Sequence, residues 1–256
     1  MRALAALLSL GPNDICNEGK QAVRELVVVS SLFVLVITAS ASDFRILGPI
    51  EEPGEVVSSG LDDCTGTLVY NHDMTFEGAF AWQYGGVEPP QYGAFGEGYL
   101  LDGDTVVECI ALWLTDITLY AGQTCDCYIW EGGVSEEPGG VLTVMVGFDP
   151  GTPAYWPDVS QHDADVPDYT VTGDEFTIGY WGNWPGALCG WFCAADETGL
   201  SGHPWTCVSP GSGYGTGWID PSYVWGTTFA MGLGFYHGDP VPAESPTWGS
   251  IKELFK

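Results

Sequence analysis

What most limits the fold of this chain is its punctuation: short apolar runs are cut, again and again, by Gly, Pro and Asp. Gly85-Gly86, Asp102-Gly103 and Pro138-Gly139-Gly140 are typical breakers. Such pairs favour turns, because Gly reaches backbone angles closed to other residues and Pro has no N–H to give to a ladder. The intervening runs are of strand length, and strands are expected at 76–83, 95–101, 105–115, 124–130, 141–148, 169–171, 175–181, 191–195, 205–208 and 228–236. This pattern predicts an all-β, jelly-roll-like two-sheet β-sandwich. No internal repeat of fixed period is present.

Two of these runs carry more detail. In 228–236, Phe229, Met231, Leu233 and Phe235 alternate with Ala230, Gly232, Gly234 and Tyr236. One face is bulky and suited to a core, and the other is nearly bare, which lets a second backbone or an aromatic ring come close. By contrast, 106–114 is apolar on both sides apart from Glu108, as expected of a central strand covered on both faces.

Charge narrows the function. Between Ile46 and Ile251 there is no Lys and no Arg, in a chain of formal net charge -28. Phosphate backbones and anionic lipid surfaces are bound mainly through Lys and Arg, so neither nucleic acid nor an anionic membrane surface is an expected partner. Enzymes that handle phosphate lose their usual cationic clamps for the same reason. Self-repulsion keeps such a body soluble and opposes compactness, and divalent cations, salt or oppositely charged chain ends relieve it. A salt-adapted source would produce the same acidity without functional meaning. A disordered acidic tail is excluded, because 45% of the residues are hydrophobic and 13% aromatic.

Residues 1–41 read as an export signal. Lys20 and Arg24 flank an apolar run at 26–38, and Ala39-Ser40-Ala41 offers a small-x-small cleavage site. Residues 1–19 fit a signal poorly and suggest an extension from a misplaced start; a pilin-like leader cut after Gly19 is the competing reading. Roughly 215 residues then remain, enough for one large β domain. The expected organisation is an arm or linker at 42–63, a sandwich at 64–236, and a Pro-rich linker with a sorting or docking tail at 237–256. In the tail, Trp248, Ile251, Leu254 and Phe255 have helical spacing and Lys256 closes the chain, the pattern of a short amphipathic helix that needs a docking surface. The expected location is secreted, extracellular or at the cell surface.

Cysteine usage agrees with export. Cys64, Cys109, Cys125, Cys127, Cys189, Cys193 and Cys207 are all disulfide candidates in an oxidising compartment, and seven leaves one over. Cys125 and Cys127 are two apart, so in a strand both face one side. Zinc is the alternative for this pair, although no second compact Cys or His pair has familiar ligand spacing.

Catalytic signatures are missing. There is no Gly-x-Ser-x-Gly elbow, and His72, His162, His203 and His237 are scattered. Pairs of carboxylates are available everywhere in so acidic a chain and therefore identify no glycosidase. The chain is read as a non-enzyme that requires no cofactor. Calcium is the candidate cation: Asp163, Asp165 and Asp168 crowd one segment read as a loop, and Asp102 and Asp104 flank a turn. Ordinary turn-forming Asp is the plainer explanation of both. For sugar stacking the candidates are Tyr155, Trp156, Trp181, Trp184 and Trp218, against the alternative that such rings belong to the core or its rim.

Several segments resemble a class of secreted bacterial jelly-roll proteins, mostly uncharacterised and from uncultured lineages. They are Cys109-Ile110-Ala111-Leu112-Trp113-Leu114, Asp126-Cys127-Tyr128-Ile129-Trp130, Pro138-Gly139-Gly140-Val141-Leu142 and Phe176-Thr177-Ile178-Gly179-Tyr180-Trp181. The ending Thr247-Trp248-Gly249-Ser250-Ile251-Lys252-Glu253-Leu254-Phe255-Lys256 is similar to a terminal signature on otherwise different exported proteins. The resemblance implies extracellular placement and sorting or surface attachment, and supplies no catalytic residue.

The favoured function is therefore a non-enzymatic extracellular structural or cell-surface protein, a self-assembling subunit of a filament or surface layer. Its partners would be other copies of itself or a cell-surface component. Basic residues confined to the two ends (Arg45, Lys252 and Lys256) would dock on the acidic body of a neighbour. Assembly residues are Phe44, Arg45, Ile46 and Leu47 of the arm, which would add a strand to an exposed sheet edge, and Trp248, Ile251, Lys252 and Phe255 of the tail. The alternative is a carbohydrate-binding module that uses the loop aromatics on a glycan.

Overall fold

The segment read as apolar on both sides, Thr105–Asp116, is the spine of the molecule. The computed structural model describes residues 44–48, 53–58, 64–82, 91–100, 103–117, 123–182, 191–199 and 202–238. In chain order the strands are β1 (Phe44–Leu47), β2 (Val56–Ser58), β3 (Thr67–Tyr70), β4 (Gly78–Trp82), β5 (Phe95–Leu100), β6 (Thr105–Asp116), β7 (Cys125–Glu131) and β8 (Val141–Phe148). There follow β9 (Ala154–Tyr155), β10 (Val159–Val171), β11 (Glu175–Trp181), β12 (Phe192–Asp196), β13 (Pro204–Val208), β14 (Gly217–Ile219), β15 (Ala230–Met231) and β16 (Leu233–Gly238). Among the described residues one short helix, α1 (Ser222–Trp225), lies between β14 and β15.

The strands form two sheets. The first runs β1-β4-β12-β6-β10-β2, with β15 on β12, β9 on β6, and β16 between β6 and β3. The second runs β14-β13-β5-β11-β7-β8. From β4 onward the chain passes repeatedly between them: β4, β6, β10 and β12 belong to the first, and β5, β7, β8 and β11 to the second. This is an all-β sandwich. Its core interleaves Phe80, Ile110 and Leu112 of the first sheet with Phe95, Ile129 and Ile178 of the second. Fully burying a side chain of that size contributes roughly 1.5–3 kcal/mol, so the alternation of these strands decides which face turns inward.

On β6 the alternation carries Ile110, Leu112 and Leu114 into this core and turns Ala111 and Trp113 to the opposite face. There Trp113 packs with Phe76, Val159 and Ala194 in a smaller cluster. Val107 also points inward, three positions before Ile110, because Glu108 is an extra residue: Val107 and Cys109 pair with the adjacent His237 and Tyr236. A bulge of this type reverses side-chain parity.

The bare face of the last strand behaves as its composition predicts. A Cβ on Gly232 would lie 2.9 Å from Trp113 Cβ, and one on Gly234 would lie 3.0 Å from Trp113 Cζ3. The Trp113 ring therefore occupies the space these glycines leave. At Gly232 the chain also changes partners, its N–H donating to the Ala194 carbonyl (2.7 Å) while its own carbonyl accepts from Trp113 N (2.8 Å). The bulky face is corrected at one position: Phe229 precedes the strand and stays partly exposed, because its N–H is taken by the Asp196 carbonyl at 2.8 Å before β15 begins.

The described residues of the arm form two strands, and both pair with the first sheet. β1 lies antiparallel on β4, with Phe44 opposite Trp82 and Leu47 opposite Ala79. β2 lies parallel to the start of β10, with Val56 opposite Val159. The tail helix expected at 247–256 falls outside the described residues. Among the described residues no helix is long and apolar enough to cross a membrane.

Candidate functional site

The assembly residues of the arm take a position different from the one expected. Phe44, Arg45, Ile46 and Leu47 were read as a strand for a neighbour's sheet; in the single chain they occupy the edge of their own β4. The physical cause is proximity, since an edge in the same chain is available at a far higher effective concentration than one in another copy. Trp248, Ile251, Lys252 and Phe255 lie outside the described residues.

The two remaining long edges are unlike. β10 pairs with β6 along nine residue positions, while β2 covers only Val159–Gln161 of its other side. The uncovered stretch carries Asp163, Asp165, Asp168 and Pro167. β8 forms the end of the second sheet and, among the described residues, pairs only with β7. From Val141 to Phe148 it contains neither a charge nor a proline. Leu142 and Met145 pack on the core, while Val141, Val144 and Val146 are exposed, Val146 at 73%.

The calcium candidates are placed as follows. Asp163, Asp165 and Asp168 belong to β10, not to a loop, because the Ala164 and Val166 side chains between them are buried and the strand is carried through on β6. Asp163 accepts hydrogen bonds from Gln161 Nε2 (2.8 Å) and Tyr236 Oη (3.0 Å). Asp165 and Asp168 are exposed on either side of a register shift that contains Pro167. Asp104 is exposed, and Asp102 lies outside the described residues. Among the described residues, no group of three or more His, Cys, Asp and Glu side chains is arranged to hold a metal ion.

The structure instead gathers carboxylates that were not singled out. Glu97 is fully buried, and it accepts from Asn71 Nδ2 (2.8 Å), His203 N (2.7 Å) and Met231 N (2.9 Å). Burial pushes its pKa up to about 7, against the pull of those three donors. Asp196, also buried, accepts from the backbone N–H groups of Asp73, Thr198 and Gly199. Burial raises it too, opposed by those hydrogen bonds. Glu77 accepts from Glu197 N (2.9 Å) and Thr198 Oγ1 (2.9 Å). These groups tie the 71–77, 196–199, 202–203 and 229–231 segments together, and their oxygens are engaged by protein donors. The signal was present in Phe95-Gly96-Glu97-Gly98-Tyr99, where Glu97 shares the inward parity of Phe95 and Tyr99.

Of the aromatic candidates, Trp181 and Trp218 are brought into one cluster on the outer face of the second sheet. Tyr128 and Trp130, not singled out from the sequence, complete it: Tyr128 stacks on Trp130 at 5.0 Å, and Trp218 meets Trp130 edge-on at 5.0 Å. Trp181 is buried and donates its indole N–H to the Tyr92 carbonyl (3.1 Å). Trp218 is half-buried. Tyr155 lies instead on β9 of the first sheet and is exposed, and Trp156, in the turn that follows, packs against buried residues of that sheet. Trp184 lies outside the described residues.

Cysteine pairing is narrower than expected. Cys64 and Cys109 form a disulfide that fastens the start of the β3 segment to β6. Cys125, Cys127, Cys193 and Cys207 are buried free thiols, a correction to their candidacy, and Cys189 lies outside the described residues. Cys193 faces the core from the first sheet, while Cys207 lies on the outer face of the second, so layer geometry keeps them apart. Cys125 and Cys127 do share a face, as their spacing requires. Burial raises the Cys125 thiol well above its usual range and pushes Cys207 up to about 12, which makes both poor nucleophiles.

One Ser–His contact has the separation of a nucleophile and its base: Ser160 Oγ lies 2.6 Å from His162 Nε2. Both residues are buried, Ser160 Oγ also accepts from Ala154 N (2.8 Å), and burial lowers His162 to about 4. The pair anchors the 154–158 turn to β10. His72 is likewise buried and lowered to about 3 by burial; its ring stacks on Tyr70 and meets Trp113 edge-on.

No protein-family model, curated protein or solved structure matches the chain.

Proposed function

We propose that this chain is a non-enzymatic extracellular structural or cell-surface protein, a self-associating subunit on a jelly-roll scaffold. Support for the jelly roll comes from strand order: β4-β12-β6-β10 faces β5-β11-β7-β8, the order produced when two Greek keys wind together. The observation that carries the functional reading is β1. A short strand bearing Arg45 covers a sheet edge on a body whose described remainder, from Ile46 on, has neither Lys nor Arg. The same four-residue pairing made between copies would join them by strand exchange. Calcium or salt would reduce repulsion between the acidic bodies.

The test is particle size of the exported protein, by light scattering and electron microscopy, with and without residues 42–63 and with and without calcium. Assemblies that shrink when the arm is removed are expected. Unchanged assemblies would take the arm out of the mechanism, and a protein that stays monomeric under all conditions would overturn the reading.

A second reading, glycan binding, is favoured by the Tyr128, Trp130, Trp181 and Trp218 cluster, in which the Trp130 indole N–H is buried without a hydrogen-bond partner. Sugar binding that disappears in Trp218→Ala on a glycan array, from a monomeric protein, would replace the structural reading with this one.

A further inference from the structure

We propose that β8 is the contact through which two copies of this chain associate, edge to edge and antiparallel about a two-fold axis, so that their second sheets become continuous. The proposal rests on the reading that the chain self-associates, and it names the surface responsible.

An uncovered edge strand offers a row of N–H and C=O groups to any other strand, and folded proteins block such rows with charge, proline, bulges or a covering segment. This chain uses those devices elsewhere. β1 covers β4, β2 covers the start of β10, and the rest of β10 carries three Asp and a Pro. At the far end of the second sheet, β14 is three residues long and is followed by Asp220. Among the described edges only β8 is long, apolar and without charge or proline. β8 has two register shifts against β7, one at Leu142 and one at 146–147, where Gly147 adopts φ 77° and donates its N–H to Asp126 Oδ1 at 2.9 Å; Thr143–Met145 between them stays in continuous register.

Charge selects the occupant. In a molecule of net charge -28, two copies repel wherever acidic surfaces face each other, and a neutral strand is where a second copy approaches at least cost. A two-fold axis places this strand against itself, so the contact is self-complementary and needs no second surface. Val144 and Val146 then lose their exposure against the same residues of the partner copy. β-Branched residues suit such cross-strand pairs.

The experiment uses the full exported chain and its Val144→Lys/Val146→Lys variant in sedimentation equilibrium across a concentration series. Both positions are exposed, so circular dichroism is expected to match the parent. The dimer dissociation constant should rise by about tenfold or more in the variant, and added salt should tighten the parent dimer by screening the flanking acids. A variant that associates as well as its parent would overturn the β8 contact while leaving self-association intact. A parent that is monomeric throughout would overturn both. A chain that dimerises only after removal of 239–256 would mean that its own tail occupies β8, which also overturns the proposal. Independently, Val144→Cys treated with a short bis-maleimide should give a crosslinked dimer, since the other described free thiols are buried. A dimer that yields no such crosslink would refute the two-fold geometry.

Discussion

β10 and β8 are the outer strands of the same sandwich, and they solve the problem of an open edge in opposite ways. The uncovered part of β10 sets Asp163, Asp165, Pro167 and Asp168 along its length, whereas Val141–Phe148 sets neither charge nor proline against an incoming strand. Both are stabilised from inside, β10 by β6 and the inward Ala164 and Val166, β8 by β7 and the inward Leu142 and Met145. The difference therefore lies in what each edge presents outward, not in how firmly it is expected to be held. A chain this acidic had many residues available to guard β8, and the contrast within one molecule is what makes its neutrality informative.

The comparison breaks most severely if the two sheets are separated in stability. Replacing both Cys64 and Cys109 with Ser opens a link that spans 45 residues and fastens directly to β6, the inner neighbour of β10. The expected loss is about 3–4 kcal/mol, read from the midpoint of denaturant unfolding. By amide hydrogen exchange, β10 should lose protection before β8 does. Equal loss in both strands would mean that the sheets open as one unit.

Acid should distinguish the strands next, because His162 is on β10 and β8 carries no titratable group. Its folded value of about 4 lies below the unfolded 6.5, so the unfolded state binds the proton first. The stability this leaves in place above pH 6.5 is lost as pH falls toward 4, on the order of 3 kcal/mol. His72 acts in the same direction down to about pH 3. Glu97 acts in the opposite one: raised from 4.5 to about 7, it contributes stability below pH 4.5 that is lost as pH rises through 7. In thermal melts against pH, His162→Gln should flatten the limb between 6.5 and 4, and Glu97→Gln should flatten the opposing slope between 4.5 and 7. An acid limb unchanged in His162→Gln would show that the imidazole is not held neutral.

The smallest expected effect sharpens the contrast directly. Asp165→Val/Asp168→Val strips the guard from β10 at two exposed positions and makes that edge resemble β8. Association should strengthen by about tenfold, or ~1.4 kcal/mol, measured by sedimentation. If it does not change, charge is not what keeps that edge unpaired, and the neutrality of β8 loses its meaning.

Much of the strand content was legible from local pattern. Val141–Phe148 and Glu175–Trp181 coincide with the expected runs, and Gly232 and Gly234 do admit Trp113 as a bare face should. β2, β3, β9 and β14 were not legible: each has four residues or fewer, too short for a period of two to register, and is a strand only because a partner lies beside it. Most of β10, residues 159–168, was missed for another reason. Its Asp-Ala-Asp and Val-Pro-Asp sequences carry turn chemistry, and pairing with β6 overrides it. Glu97 was a carboxylate at core parity, but its three donors come from residues 71, 203 and 231, which no local window connects to it.

By itself the amino-acid sequence determined that this protein would be built of short strands, which faces of those strands would be bulky or bare, and that no Lys or Arg would stand between Ile46 and Ile251. Those properties are set by neighbours along the chain. Only the tertiary structure decided that Cys64 meets Cys109, that the arm returns to its own first sheet, and that β6 is central while β8 lies at an edge. The reason is that an alternating segment looks the same whether it has one partner or two. Which it acquires depends on backbone hydrogen bonds made across large separations in sequence, after the loops that bring those partners together have closed.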